Sequence, residues 1–294
     1  MKSFEYRKVS SLEEAFRLLQ EYGEGAKMLA GGTDLFIKMR NMAFQPEILI
    51  DLKGIPGMDQ VSYDPSAGLR IGALASIHLL ETSPLLREKF GVIAQAAASL
   101  GSYQIRCRAT LGGNICNASP AADMIPGLIT LGAKAKIVNL SGERFLPLEE
   151  VFSGPGRTNF QPGEILTEVQ VPALKEPTGC HYTKHSIRNA MDLAVVGVAV
   201  TLSSASPKDR FEKVRIALGA VGPVPMRALS AEGALRGRQM DEELISRAAS
   251  LASEEAQPVS DIRASAEYRR EMVRVITQRA LRKAWRQLTE GGGS

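Results

Sequence analysis

Two short stretches built on Gly-Gly constrain this chain more than anything else in it: LAGGTD at 29–34 and TLGGNICNASPAAD at 110–123. In each, polar side chains follow two glycines. Glycine lets a backbone reach positive φ and approach a ligand closely. Successive N–H groups in such a turn form an anion nest, and a helix starting there adds its partial positive charge. Thr33, Thr110 and Asn114 can donate to phosphate oxygens, whereas ionised Asp123 can only accept, which suits sugar hydroxyls. A dinucleotide diphosphate carries both kinds of group. The residues alone leave two readings open: two unrelated glycine turns, or two halves of one site.

The surrounding pattern is mixed. Ser11 with Glu14 forms a capping box that predicts a helix over 12–22, ended by Gly23. Strands are expected at 27–29, 47–52, 61–63, 69–73, 135–140 and 165–171, the third and fourth as a hairpin around 64–68. Helices are expected at 34–41, from Ser76 to about 81, over 85–100 after Pro84 as one element, and at 123–131. A helical fragment is expected at 148–152. With 294 residues the chain suggests about two domains. Pro172, Pro177 and Gly179 mark a linker, so domains of 1–175 and 180–290 are expected. Beyond the linker, strands at 181–187, 193–202 and 213–221 precede helices at 228–236, 241–252 and 264–288. This order predicts an α+β C-terminal unit. The terminal GGGS carries no fold information.

Several function classes drop out. No GxGxxG or GxxxxGK[ST] is present, so Rossmann and P-loop sites are unsupported. His78, His181 and His185 are scattered, and no HExxH or CxxC suggests a metal. The 36 basic residues exceed the 32 acidic ones by only four, spread along the chain, which argues against nucleic acid. The basic face of the last predicted helix reads as a solvated one. Three cysteines without framework spacing, and no apolar leader or membrane-length run, point to a reducing, cytoplasmic compartment.

Taken in order, LAGGTD, TLGGNICNASPAAD, GEILTEV at 163–169 and KHSIRNAMDLA at 184–194 resemble the FAD-binding subunit of molybdenum hydroxylases, the xanthine dehydrogenase family. The resemblance spans nearly the whole chain. It implies a vanillyl-alcohol-oxidase-like (PCMH-type) FAD-binding domain of two α+β subdomains, followed by a smaller α+β domain with a three-stranded sheet. It implies noncovalent FAD. Lys27, Met28, Leu29, Ala30, Gly31, Gly32, Thr33 and Asp34 would supply the first diphosphate loop, and Ala109, Thr110, Gly113 and Asn114 the second. Cys116, Asn117 and Asp123 would line the cofactor further along. Leu166 would touch the flavin region, Lys184 would act electrostatically beside it, and the loop 188–192 would lie where an electron acceptor approaches. No protein acid or base is expected to be indispensable. The implied partners are a molybdopterin-binding large subunit and a small subunit with two [2Fe–2S] clusters. Electrons would pass through FAD to an acceptor such as NAD⁺. Two other functions stay open: a flavin-free assembly subunit, and a standalone flavin oxidoreductase.

Overall fold

The computed structural model describes residues 2–174, 176–204 and 210–290; the GGGS end lies outside them. The chain opens with β1 (Glu5–Lys8), α1 (Leu12–Tyr22), β2 (Ala26–Leu29), α2 (Leu35–Arg40) and β3 (Ile48–Asp51). The three strands pair in parallel in the order β1-β3-β2. Helix α1 has the expected limits. Ser11 Oγ accepts the Glu14 N–H at 3.2 Å, the Glu14 carboxylate returns to the Ser10 N–H at 2.9 Å, and Gly23 leaves at φ 50°.

Next come β4 (Val61–Asp64), β5 (Gly68–Gly72), α3 (Ile77–Thr82), α4 (Pro84–Lys89), α5 (Gly91–Ser99), α6 (Tyr103–Arg106), α7 (Leu111–Cys116) and α8 (Met124–Thr130). The single helix expected over 85–100 is two. Phe90 breaks it at φ −131°, ψ 47°, because its fully buried ring turns inward, edge-on to Tyr63 at 5.7 Å. Strands β6 (Lys134–Asn139), β7 (Gly142–Pro147), β8 (Phe152–Gly154), β9 (Arg157–Thr158) and β10 (Ile165–Val171) follow. The fragment expected at 148–152 shrinks to a 3₁₀ turn at Leu148–Glu150 before β8. Five strands form an antiparallel sheet in the order β4-β5-β10-β6-β7.

The last unit holds β11 (Thr178–His185), β12 (Val196–Ser203), β13 (Lys213–Gly219), β14 (Met226–Arg227), α9 (Leu229–Leu235), α10 (Glu242–Glu255) and α11 (Ala266–Glu290). Its sheet has four strands, not the expected three. The added strand β14 is only two residues long and pairs Met226 and Arg227 with Leu218 and Ala217. The α+β class read from the sequence holds throughout.

Every residue of β12 is buried, and the two faces differ. Val196, Val198, Val200 and Leu202 pack into a core with the C-terminal helices. On the other face Ala199 joins the core of the first unit, and the Thr201 hydroxyl donates to Thr130 of α8 at 2.9 Å. The period-two alternation of a strand thus joins the two units through one sheet. Small residues on the inner face let α8 come close; a Cβ on Gly219 would lie 3.0 Å from Pro126. The opposite layer is as tight, since a Cβ on Gly179 would lie 1.9 Å from the Ala284 carbonyl oxygen of α11. We therefore expect Gly179→Ala to destabilise the chain by about 1–3 kcal/mol, the usual cost of overpacking. Urea unfolding checks this, and an unchanged midpoint would contradict it.

Candidate cofactor site

The first Gly-Gly stretch leaves the C-terminal end of β2, beside the end of β3, and runs into α2. Ligands favour this end of a parallel sheet. Leu29 is buried and anchors the strand; Ala30 holds the loop through its carbonyl, which accepts from Lys53 Nζ at 2.9 Å. Lys53 is itself fixed by buried Asp51 at 2.7 Å. Gly32 sits at φ 78°, a conformation that favours glycine. The backbone N–H groups of Gly31, Gly32, Thr33 and Asp34 meet no protein acceptor among the described residues. Four consecutive unspent donors beside a positive-φ glycine are the geometry of an anion nest. The exposed Asp34 side chain caps nothing.

Gly31 explains why the two stretches belong together. A Cβ there would lie 2.1 Å from the Arg108 carbonyl oxygen and 3.0 Å from the Ala109 Cα. Only a glycine permits this backbone-to-backbone contact. A second tie closes the far ends, where Lys38 Nζ of α2 donates to Asn117 Oδ1 at 2.6 Å. The two stretches thus stand together as two walls.

The second wall is not a second nest, contrary to the expectation for its glycines. The N–H groups of residues 111–114 are spent. Leu111 donates to the Ala75 carbonyl at 3.0 Å, Gly112 to Ala73 at 2.7 Å, Asn114 to Thr110 at 3.0 Å, and Gly113 to Thr110 Oγ1 at 3.1 Å. Thr110 is the N-cap of α7, and Gly112 is small because a Cβ would meet the Ala73 carbonyl oxygen at 2.7 Å. What this wall offers is a side chain: Asn114 Oδ1 is buried and has no hydrogen-bond partner among the described residues. Such an orphan costs about 1–3 kcal/mol unless something fills it. Ala109 is buried and Cys116 exposed.

At the end of the stretch Asp123 is buried, and both its oxygens already accept a bond. Tyr182 Oη donates to Oδ1 at 3.0 Å, and Lys184 Nζ to Oδ2 at 3.0 Å. Sequence reasoning took Asp123 and Lys184 as separate ligands; the structure pairs them. It missed Tyr182, although period two along β11 puts Cys180, Tyr182 and Lys184 on one face. Burial raises the Asp123 carboxyl above its ordinary value while Lys184 and Tyr182 pull the other way. Burial, then the carboxylate beside it, pushes the Tyr182 phenol well above its ordinary value and keeps it a donor. Leu166 is buried on β10, which bulges just after it and packs against α7. Lys27 and Met28 are not drawn in like the glycines: Lys27 Nζ bonds the Glu24 carbonyl at 3.4 Å and covers the Phe44 ring at 5.7 Å, and Met28 is exposed.

Residues 2–174 match the family described as the FAD binding domain in molybdopterin dehydrogenase, and residues 181–284 match the CO dehydrogenase flavoprotein C-terminal domain. The chain belongs to this family of FAD-binding subunits. It is 31% identical over 280 residues to the glyceraldehyde dehydrogenase medium chain of Sulfolobus acidocaldarius, covering 95% of this chain and 98% of the relative. It is 32% identical over 282 residues to the carbon monoxide dehydrogenase medium chain of Hydrogenophaga pseudoflava, covering 96% and 97%. A solved carbon monoxide dehydrogenase from Hydrogenophaga pseudoflava, lacking the Mo-pyranopterin moiety of its cofactor, superposes with a TM-score of 0.92 at 33% identity, covering 97% of this chain and 98% of that one. Quinoline 2-oxidoreductase from Pseudomonas putida 86 superposes with a TM-score of 0.90 at 30% identity, covering 98% and 99%.

The chain is thus a flavoprotein subunit of an oxidoreductase, and its residues fit FAD. The free N–H row, the glycine contact that shapes it and the orphaned Asn114 amide match a ligand with phosphates and hydroxyls. No helix among the described residues is long and apolar enough to cross a membrane. Gly31→Ala should force the two walls apart. We expect it to lose most bound FAD and to destabilise the fold by about 1–3 kcal/mol. Flavin absorbance per chain and the unfolding midpoint read both effects, and full flavin occupancy would contradict the assignment.

Proposed function

We propose that this chain is the electron-transfer subunit of a molybdenum hydroxylase. It takes electrons from the [2Fe–2S] clusters of a small partner subunit and passes them through noncovalent FAD to NAD⁺. A molybdopterin-binding large subunit would carry the substrate chemistry, and the complex would work in the cytoplasm. One observation carries this reading: the unspent N–H row at 31–34 locked against the 110–123 wall, with a buried lysine–carboxylate pair at the end of that wall. The names of the relatives support it, among them the putative xanthine dehydrogenase FAD-binding subunit XdhB of Escherichia coli, 28% identical over 280 residues.

The residues then divide the labour. The N–H groups of Gly31, Gly32, Thr33 and Asp34 hold diphosphate oxygens, the Thr33 hydroxyl adds a donor, and the orphaned Asn114 Oδ1 accepts from a cofactor hydroxyl. Asp123 keeps a spare lone pair on each oxygen for sugar hydroxyls. Ala109, Thr110, Gly113, Cys116, Asn117 and Leu166 shape the walls. Lys184 stabilises the negative charge that the reduced cofactor gains. The bound FAD supplies the redox chemistry itself; the protein binds, orients and tunes it. None of these roles needs a protein acid or base.

Anaerobic mixing of the FAD-loaded chain with NADH runs the last step backwards. We expect the visible flavin absorption to bleach. A flavin that stays oxidised under NADH but is reduced by dithionite would exclude NAD⁺ as the acceptor. Affinity purification from the native cell should bring down a molybdopterin-binding chain. A chain that comes down alone and oxidises a small substrate would favour the standalone oxidoreductase.

A further inference from the structure

The Lys184–Asp123 pair is sealed: the two side chains are 8% and 9% exposed. Burying two charges costs several kcal/mol per ion, and an apolar pair often serves stability as well. The network around it is nevertheless nearly complete. Lys184 Nζ donates to Asp123 Oδ2 at 3.0 Å and to the Ser99 carbonyl at 3.1 Å. An ammonium has three donors, and the third meets no acceptor among the described residues. The other carboxylate oxygen is held by Tyr182 Oη at 3.0 Å. Tyr182 is fixed in turn, its backbone N–H donating to Gln95 Oε1 at 2.8 Å and its hydroxyl packed 3.1 Å from the place a Cβ on Gly197 would take. Gln95 and Ser99 lie one helical turn apart on α5, so one helix face supports both Tyr182 and Lys184.

We propose that Tyr182 is a positioning residue for the cofactor. By holding Asp123 Oδ1 it keeps the carboxylate from closing fully on Lys184, and so leaves the third ammonium donor directed at the bound flavin. This rests on the reading above that Lys184 faces FAD. Tyr182 touches neither cofactor nor substrate and acts through Asp123. Without its hydroxyl, Lys184 is the carboxylate's remaining side-chain donor. Asp123 then moves onto the ammonium and compensates more of its charge, and less of that charge reaches the reduced cofactor.

The test compares wild type, Tyr182→Phe, Lys184→Met and the double variant, each full-length and loaded with FAD. The readouts are the flavin midpoint potential and the FAD dissociation constant. Tyr182→Phe should lower the potential and weaken FAD binding roughly threefold or more, the scale of coupling between groups in contact. In the Lys184→Met background the same substitution should leave the potential unmoved. A wild-type potential in Tyr182→Phe, or an equal shift with and without Lys184, would overturn the inference. If Tyr182→Phe does not fold, Asp123→Asn reads the link from its other end. It keeps an acceptor for the tyrosine and removes the compensating charge, so the potential should rise, and an unchanged potential overturns the inference. A wild-type chain that takes up no FAD would overturn the functional reading, and this inference with it. FAD uptake with silent variants would sink the inference alone.

Discussion

The structure depends on one contact between two backbones. Gly31 lies so close to the Arg108 carbonyl that no other residue fits, and this brings a loop from a parallel sheet against a helix start far along the chain. Without it each Gly-Gly stretch is an ordinary turn. With it, the free N–H row of the first lies beside a wall whose N–H groups at Leu111, Gly112, Gly113 and Asn114 are committed to Ala75, Ala73 and Thr110. One wall offers free N–H donors; the other offers a side-chain amide oxygen. That asymmetry suits a ligand with a charged diphosphate centre and flat, hydroxyl-bearing ends.

The C-terminal sheet completes the arrangement. Its outer face buries valines against α10 and α11, as any small domain would. Its inner face is built of small and polar residues that press on the first unit. Arg215 reaches from it to the Ile129 carbonyl at 3.1 Å, and Lys184 reaches Asp123. Hydrophobic packing holds the sheet together, but its position over the first unit is set by a few directional bonds. They hold both ends of α8: Lys184 meets Asp123 at the end of the 110–123 wall, and Arg215 and Thr201 bond Ile129 and Thr130 at the far end. The Lys184–Asp123 pair thus joins the C-terminal sheet to the end of the 110–123 stretch.

Much of this was legible in the chain. The capping box before residue 12 and the hairpin turn at 64–68 are local signals, and the elements follow them. The family was legible too, because four motifs in order are far more specific than any Gly-Gly pair. Other features were hidden for physical reasons. Phe90 breaks a helix that its neighbours favour because a tertiary contact draws its ring inward. The glycines at 112 and 113 look like those at 31 and 32, yet they serve close packing and capping, which depend on where Ala73 and Thr110 lie. Asp123 and Lys184 were each picked out, but not as partners, since nothing local shows that β11 crosses α8 there. Tyr182 was within reach, two residues before Lys184 on the same strand face.

We propose that the Gly31–Arg108 contact builds a single FAD site from the two stretches. Titrating the flavin-free chain with FAD, followed by quenching of flavin fluorescence, tests it most directly. We expect saturation at one FAD per chain. Flavin fluorescence that stays unquenched in the presence of folded chain would contradict it.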